Sequence, residues 1–255
     1  MAKPLTKIEE ATTEQIIDCL SDKELQILLV GPPGTGKTTL PIMAAEKMGK
    51  RWAKLQCQSE TAPAEVLGMY VPNEKSFQWE QGPADICLTE GGFLVIDEIV
   101  EASGPVKTLF YGLLDKGRGG HITYVGREFE RHPEYQVAAT MNEWPDQGGL
   151  SEALLDRFDA CFLVKAPHQA MLDTLDEDLR DVCEDAYLTV PPDQLMSGPV
   201  YTFRTFQSIQ LLRKRMPMPQ AVLAGCRGNK EAALALLEIL AFTTPESTAK
   251  GSVRP

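Results

Sequence analysis

The run Gly31-Pro32-Pro33-Gly34-Thr35-Gly36-Lys37-Thr38-Thr39 sets glycines, one lysine and hydroxyls at the spacing Gly-x-x-x-x-Gly-Lys-Thr, which can cradle a polyphosphate. Successive backbone N–H groups wrap phosphate oxygens only where side chains do not intrude, so glycine takes the tight positions. Lys37 supplies a point charge for the β- and γ-phosphates, Thr38 a hydroxyl for Mg²⁺, and the helix expected next adds the partial positive charge of its N-terminus. A Gly/Pro-rich surface turn is the plain alternative, and the strand before the run and the helix after it argue against that. A nucleoside triphosphate is therefore the expected ligand.

Downstream, Phe93-Leu94-Val95-Ile96-Asp97-Glu98 ends an apolar run in two carboxylates. Charge at the end of a buried parallel strand needs a partner. Beside a phosphate loop, Asp97 is expected to orient Mg²⁺ through its water shell and Glu98 to polarise an attacking water. Taken alone, the pair would serve equally well as a helix N-cap and its first turn. Asn142 places an amide beside the acids, where it could hold the lytic water. Arg157, in Leu154-Leu155-Asp156-Arg157-Phe158, leads into the last strand at the domain's rim, from which it would reach out of its own subunit.

The elements that must position these groups alternate. Residues 26–30, 53–57, 92–97, 136–140 and 160–164 read as strands, and 37–48 and 106–114 as helices, which implies a parallel sheet with helices on both faces. Beyond Pro167 only helical spacing remains, over 171–187, 203–215, 219–226 and 230–242, broken at Pro191-Pro192, Pro199, Pro217 and Gly228. The expected organisation is an α/β domain over 1–166, a smaller all-α domain over 167–242 and a polar, flexible tail over 243–255.

At 255 residues the chain can bury a sizeable core, and its formal charge of −11 argues against broad electrostatic binding to nucleic acid. No long apolar segment and no secretory leader are read, so a cytoplasmic protein without membrane insertion is expected. Cys19, Cys57, Cys87, Cys161, Cys183 and Cys226 have neither C-x-x-C spacing nor a suitably placed His, and read as reduced structural thiols.

The succession of strand, GPPGTGKTT, LVIDE, ATMN and LLDRFD closely resembles the AAA+ ATPases, and within them the MoxR family, over most of the chain. The resemblance implies ATP with Mg²⁺. It matches Lys37 and Thr38 to Walker A, Asp97 and Glu98 to Walker B, Asn142 to sensor 1, Arg157 to the arginine finger completing a neighbour's site, and Arg204 to sensor 2. It implies a homo-hexameric ring whose hydrolysis moves a helical lid and remodels or activates a protein complex, in the manner of a chaperone. Asp97-Glu98-Ile99-Val100-Glu101-Ala102 is closer to the CbbQ/NorQ branch, whose members work with a partner bearing a von Willebrand A domain on a protein client. Leu154 to Phe158 looks like general MoxR, so the branch stays open.

Glu65-Val66-Leu67-Gly68-Met69-Tyr70-Val71, with Phe77-Gln78-Trp79 and Gln81-Gly82-Pro83, looks like the helix-2 insert of that family, and 116–133 like the hairpin before sensor 1. Tyr70, Trp79, His121, Tyr124 and Arg127 are then candidates for gripping a client; equally, Tyr70 and Trp79 are aromatic anchors of a small hairpin. Arg118, Arg127 and Arg131 form the one sparse basic set a nucleic-acid strand could use, and such sets are usually solvated faces. The alternative functions weighed are a DNA-acting motor and the motor subunit of a metal chelatase.

Overall fold

The computed structural model describes residues 9–116, 121–144, 149–197 and 199–243. Arg118, the tail beyond Thr243 and the side chain of His121 lie outside the described residues. Contacts divide the chain into two units. One contains the chain up to Gly31 together with Lys37–Val164, and the other Pro32–Gly36 with the chain from Lys165 onward. The sequence places the division at Pro167; the contacts place it between Val164 and Lys165, and they add the glycine-rich loop to the helical unit.

In the first unit the elements are β1 (Glu9–Glu10), α1 (Thr13–Ser21), β2 (Ile27–Val30), α2 (Thr39–Lys47), β3 (Trp52–Gln56), α3 (Pro63–Leu67), β4 (Gly68–Pro72), β5 (Phe77–Gln81), α4 (Pro83–Glu90), β6 (Phe93–Asp97), α5 (Gly104–Leu113), β7 (His121–Tyr124), β8 (Arg127–Glu130), β9 (Gln136–Met141), α6 (Glu152–Leu155) and β10 (Ala160–Leu163). Six strands form one parallel sheet in the order β1-β10-β2-β9-β6-β3. Every residue of β2, β6 and β9 is buried, as expected of parallel strands covered on both faces. Strand β3 lies at the edge and keeps polar Lys54 and Gln56 exposed. On one face, Ile16 and Leu20 of α1 and Leu40, Ala44 and Ala45 of α2 pack on Leu29, Val95 and Ala138. The start of α1 is closed by a capping box, with Gln15 N–H donating to Thr12 Oγ1 and Thr12 N–H to Gln15 Oε1.

Two antiparallel hairpins stand off this sheet, β4–β5 and β7–β8. Tyr70 pairs with Trp79 across the first, with ring centroids 5.0 Å apart. Trp79 then meets Phe129 of the second at 5.8 Å, and the Arg127 guanidinium lies 5.1 Å from the Trp79 ring centre. The indole Nε1 donates to the Asp85 carboxylate at 2.8 Å, and Thr89 Oγ1 donates to the same carboxylate at 3.0 Å. Asp85 is fully buried, so these donors are what make its charge tolerable. Trp79 is thus the half-buried anchor of its hairpin, whereas Tyr70 remains exposed.

The second unit holds α7 (Gln169–Leu172), α8 (Glu177–Leu188), α9 (Phe203–Leu212), α10 (Met218–Gly225) and α11 (Lys230–Thr243). Its core gathers Leu179, Val182, Cys183 and Tyr187 of α8, Phe206 and Ile209 of α9, Val222 of α10 and Leu236 and Leu240 of α11. The single helix expected over 171–187 is instead two. Gln210 of α9 explains the break: its Oε1 accepts from Asp176 N–H at 2.6 Å and its Nε2 donates to Thr174 C=O at 2.8 Å, replacing helical bonds with tertiary ones. The helix expected from Lys37 starts at Thr39, preceded by Thr38 with helical backbone angles, φ −72° and ψ −28°.

Replacing Trp79 by Phe keeps the aromatic contacts and removes a donor from buried Asp85, which should cost about 1–3 kcal/mol of stability by urea unfolding. Tyr70→Ala, on the exposed half of the same pair, should cost less than about 1 kcal/mol. Equal costs for the two would remove Trp79 as the anchor.

Candidate functional site

The parallel register sets the tips of β3, β6 and β9 side by side, pairing Gln56 with Asp97 and Ile96 with Ala139. Around Asp97 three donors converge. Thr38 Oγ1 and Thr140 Oγ1 each donate to Asp97 Oδ1 at 2.6 Å, and the Lys54 ammonium lies 2.8 Å from Asp97 Oδ2. Burial alone would raise the pKa of this carboxyl; the hydrogen bonds from Lys54, Thr140 and Thr38, with the charge of Lys54, outweigh it and hold the group below its ordinary value. Asp97 is therefore ionised at neutral pH.

Glu98 leaves the strand. Its φ of 55° and ψ of 51° put a non-glycine residue in the left-handed region, where a 3-10 turn over Ile99–Glu101 begins. The Glu98 N–H donates to Thr140 Oγ1 at 3.1 Å, so one hydroxyl supports both acids. Two amides then hold the carboxylate: Gln56 Nε2 donates to Oε2 at 2.8 Å and Asn142 Nδ2 to Oε1 at 3.2 Å. Asn142 is thus bonded to the acid itself. Glu98, Asn142, Met141 and Cys57 border a cavity of about 390 Å³ whose rim also carries Glu60, Glu101 and Glu143. The Cys57 thiol is pushed up to about 12, by burial first and then by the charges of Asp97 and Glu98, and stays protonated there.

Within the same unit, Lys37 is buried and donates to the Gly31 carbonyl at 2.8 Å. The Gly31 N–H bonds Met141 C=O at 3.3 Å, and a Cβ on Gly31 would sit 2.2 Å from the Val164 carbonyl oxygen. Thr39 opens α2, and Thr38 at its N-cap gives it no side-chain cap because that hydroxyl is bound to Asp97. Arg157 is turned back on its own chain: Nε donates to the Tyr111 carbonyl at 3.3 Å, the guanidinium lies 4.8 Å from the Tyr111 ring centre, and a further bond reaches Ala153 C=O.

In the helical unit, the loop Pro32–Gly36 has Thr35 Oγ1 donating to Pro32 C=O at 3.1 Å. Gly34 and Gly36, at φ of 82° and 84°, adopt conformations that L side chains rarely reach. A Cβ on Gly34 would lie 2.9 Å from the Tyr187 hydroxyl, and one on Gly36 2.4 Å from Met171 Sδ. Arg204 is exposed in the first turn of α9.

The structure therefore joins Thr38, Asp97, Glu98 and Asn142 in one bonded cluster. Lys54, Gln56 and Thr140 belong to it too; Lys54 and Gln56 carry no motif of their own, and Thr140 lies in the ATMN run without a role read for it. Hydroxyl and carboxylate oxygens converging at Thr38 and Asp97 fit a hard cation such as Mg²⁺.

A family described as "AAA domain (dynein-related subfamily)" matches residues 26–158. Protein NorQ of Paracoccus denitrificans is 28% identical over 127 residues, which are 50% of this chain and 47% of that protein. Protein CbbQ of Hydrogenophilus thermoluteolus is 26% identical over 118 residues, 46% of this chain and 44% of the relative. The match to these curated relatives thus spans about half of their length. The crystal structure of NtrX from Brucella abortus in complex with ATP shares the fold at a TM-score of 0.54 and 12% identity, over 93% of this chain and 69% of that one. Among the described residues no helix is long and apolar enough to cross a membrane. With the match covering the strands β2, β3, β6 and β9 whose tips carry the site, the chain belongs to the AAA domain family, dynein-related subfamily.

Proposed function

We propose that the chain hydrolyses ATP with Mg²⁺ at sites shared between copies in a homo-hexameric ring, and uses the cycle to remodel or activate a protein complex. The acid pair carries this reading. Asp97 is bonded to the Thr38 hydroxyl, and Glu98 is turned out of the strand and gripped by two amides. In it, the amides of residues 31–39 and the Lys37 ammonium bind the phosphates. Thr38 and Asp97 would hold Mg²⁺, which when bound would offset negative charge on the nucleotide's phosphates. Glu98 accepts the proton of the attacking water while Asn142 and Gln56 fix the carboxylate's orientation. Arg204 acts at the γ-phosphate from its own chain.

Arg157 acts in trans. Its half-buried guanidinium would leave Tyr111 and Ala153 to reach a second copy's site, and the cavity beside Glu98, lined by Glu60, Glu101 and Glu143, offers the complementary charge for an incoming guanidinium. Residues 167–242 serve as the lid. A protein bearing a von Willebrand A domain and a protein client are the expected partners, by analogy with the CbbQ/NorQ branch. Six cysteines, none of them in a disulfide among the described residues, suit a reducing compartment such as the cytoplasm.

The Glu98→Gln protein should bind ATP about as tightly as the wild type and release phosphate at least about 100-fold more slowly, measured by calorimetry and a phosphate-release assay. Turnover near the wild-type rate would remove Glu98 as the base. Arg157→Ala and Lys37→Ala should each lose turnover, on the order of 10³-fold for the arginine, and mixing them should restore part of it, because some interfaces then pair an intact loop with an intact arginine. An Arg157→Ala protein that keeps full turnover on its own would refute the shared site.

A further inference from the structure

Tyr187 lies near the end of α8 and is almost fully buried, its ring in the helical core. Its hydroxyl does two things at once. It donates to the Pro33 carbonyl at 3.3 Å and accepts from the Phe203 N–H at 3.1 Å. Phe203 is the first residue of α9, so its N–H is among those a helix leaves without an internal partner. Thr202, at the N-cap, makes no side-chain cap; its hydroxyl lies 3.4 Å from that of Thr205 instead. The tyrosine thus supplies an acceptor to the first amide of a helix that its N-cap side chain leaves uncapped. Burial pushes its pKa up to about 12, against the Phe203 N–H and the nearby charge of Arg204, so the proton needed for donation to Pro33 is retained.

The Pro33–Gly34 peptide is the part of the loop that this bond fixes. In a trans peptide the C=O and the following N–H point to opposite sides of the chain. Holding Pro33 C=O against Tyr187 therefore turns the Gly34 N–H away from the helical core. Gly34 is packed tightly enough that a Cβ there would approach the tyrosine hydroxyl to 2.9 Å and the Phe203 nitrogen to 3.8 Å. The loop backbone, the hydroxyl and the start of α9 are consequently one contact, and Arg204 is the next residue along that helix.

We propose that Tyr187 is a positioning residue of the nucleotide site: its hydroxyl orients the Pro33–Gly34 peptide so that the Gly34 amide is available to phosphate, and ties that peptide to the N-terminus of the helix carrying Arg204. This rests on the reading that residues 31–39 bind nucleotide phosphates. A phenylalanine at 187 keeps the ring in the core and removes both bonds, freeing the peptide to rotate and leaving the Phe203 N–H unpaired.

The test compares wild type, Tyr187→Phe and Lys37→Ala in ATP binding, steady-state turnover and amide hydrogen exchange. In Tyr187→Phe, ATP should bind about fivefold more weakly, the equivalent of one lost net hydrogen bond, with the change falling on KM more than on kcat. ATP should slow exchange over residues 203–209 in the wild type and leave it unslowed in Tyr187→Phe. A merely structural tyrosine would lower the melting temperature and leave KM and the ATP-dependent protection as they were. Equal ATP affinity in Tyr187→Phe and wild type, with Lys37→Ala unable to bind, overturns the role of Tyr187 and leaves the site intact. Wild type that binds no ATP overturns the site reading itself. Should Tyr187→Phe fail to fold, the wild type decides alone: bound ATP without slowed exchange over 203–209 overturns the link.

Discussion

A carboxylate at the end of a buried strand is tolerable only if both of its oxygens are occupied, and Asp97 meets that condition with donors from three separate segments. Thr38 comes from the turn before α2, Thr140 from β9 and Lys54 from the edge strand β3. One charge therefore holds three strand tips and the start of a helix in register. The cost shows at α2, which begins without a side-chain cap because Thr38 is committed to Asp97. The same commitment leaves a hydroxyl and a carboxylate oxygen within 2.6 Å of each other, the pairing a hard cation would use.

Glu98 depends on that anchor. A left-handed glutamate costs about 1–3 kcal/mol of backbone strain and persists only where its surroundings over-determine it. Here its N–H is bound by Thr140, its C=O accepts the Glu101 N–H at 2.9 Å, and its carboxylate is held by Gln56 and Asn142. Strain is accepted because an extended residue at this position would follow the strand's alternation. The left-handed turn aims the carboxylate across the strand tips instead, toward the cavity edge where both amides reach it.

How much of this could be read beforehand follows from where the information lies. Gly31 to Thr39, Asp97 and Glu98 are contiguous runs whose residue types are dictated by local geometry, so the chain alone displays them. The buried runs of β2, β6 and β9 are equally legible, because a strand covered on both faces has no polar alternation to confuse it. The bonds of Gln56 and Thr140 to the acids were not legible, although Thr140 lies in the quoted ATMN run: they join the acids from 42 and 43 positions away, through a register that only the folded sheet defines. Lys54 reads as a solvated charge on an edge strand until its ammonium is seen on Asp97. The break at 173–176 was hidden for a similar reason, since helical spacing continues through it and the competing bonds come from Gln210 on another helix.

Helix α5 is the element through which the parts of the first unit are made interdependent. It follows directly from the 3-10 turn that Glu98 begins, and its N-cap Ser103 also donates to Thr61 C=O at 2.8 Å, fixing the helix to the segment after β3. Tyr111 on α5 carries Arg157, and Lys107 on the same helix donates to Gly149 C=O at 3.3 Å. Gly112 faces the second hairpin so closely that a Cβ would come within 2.9 Å of Ile122. That hairpin is in turn clamped to the first through Phe129, Arg127 and Trp79. Contacts along one ten-residue helix thus connect the Glu98 turn, Arg157 and both hairpins in one close-packed array.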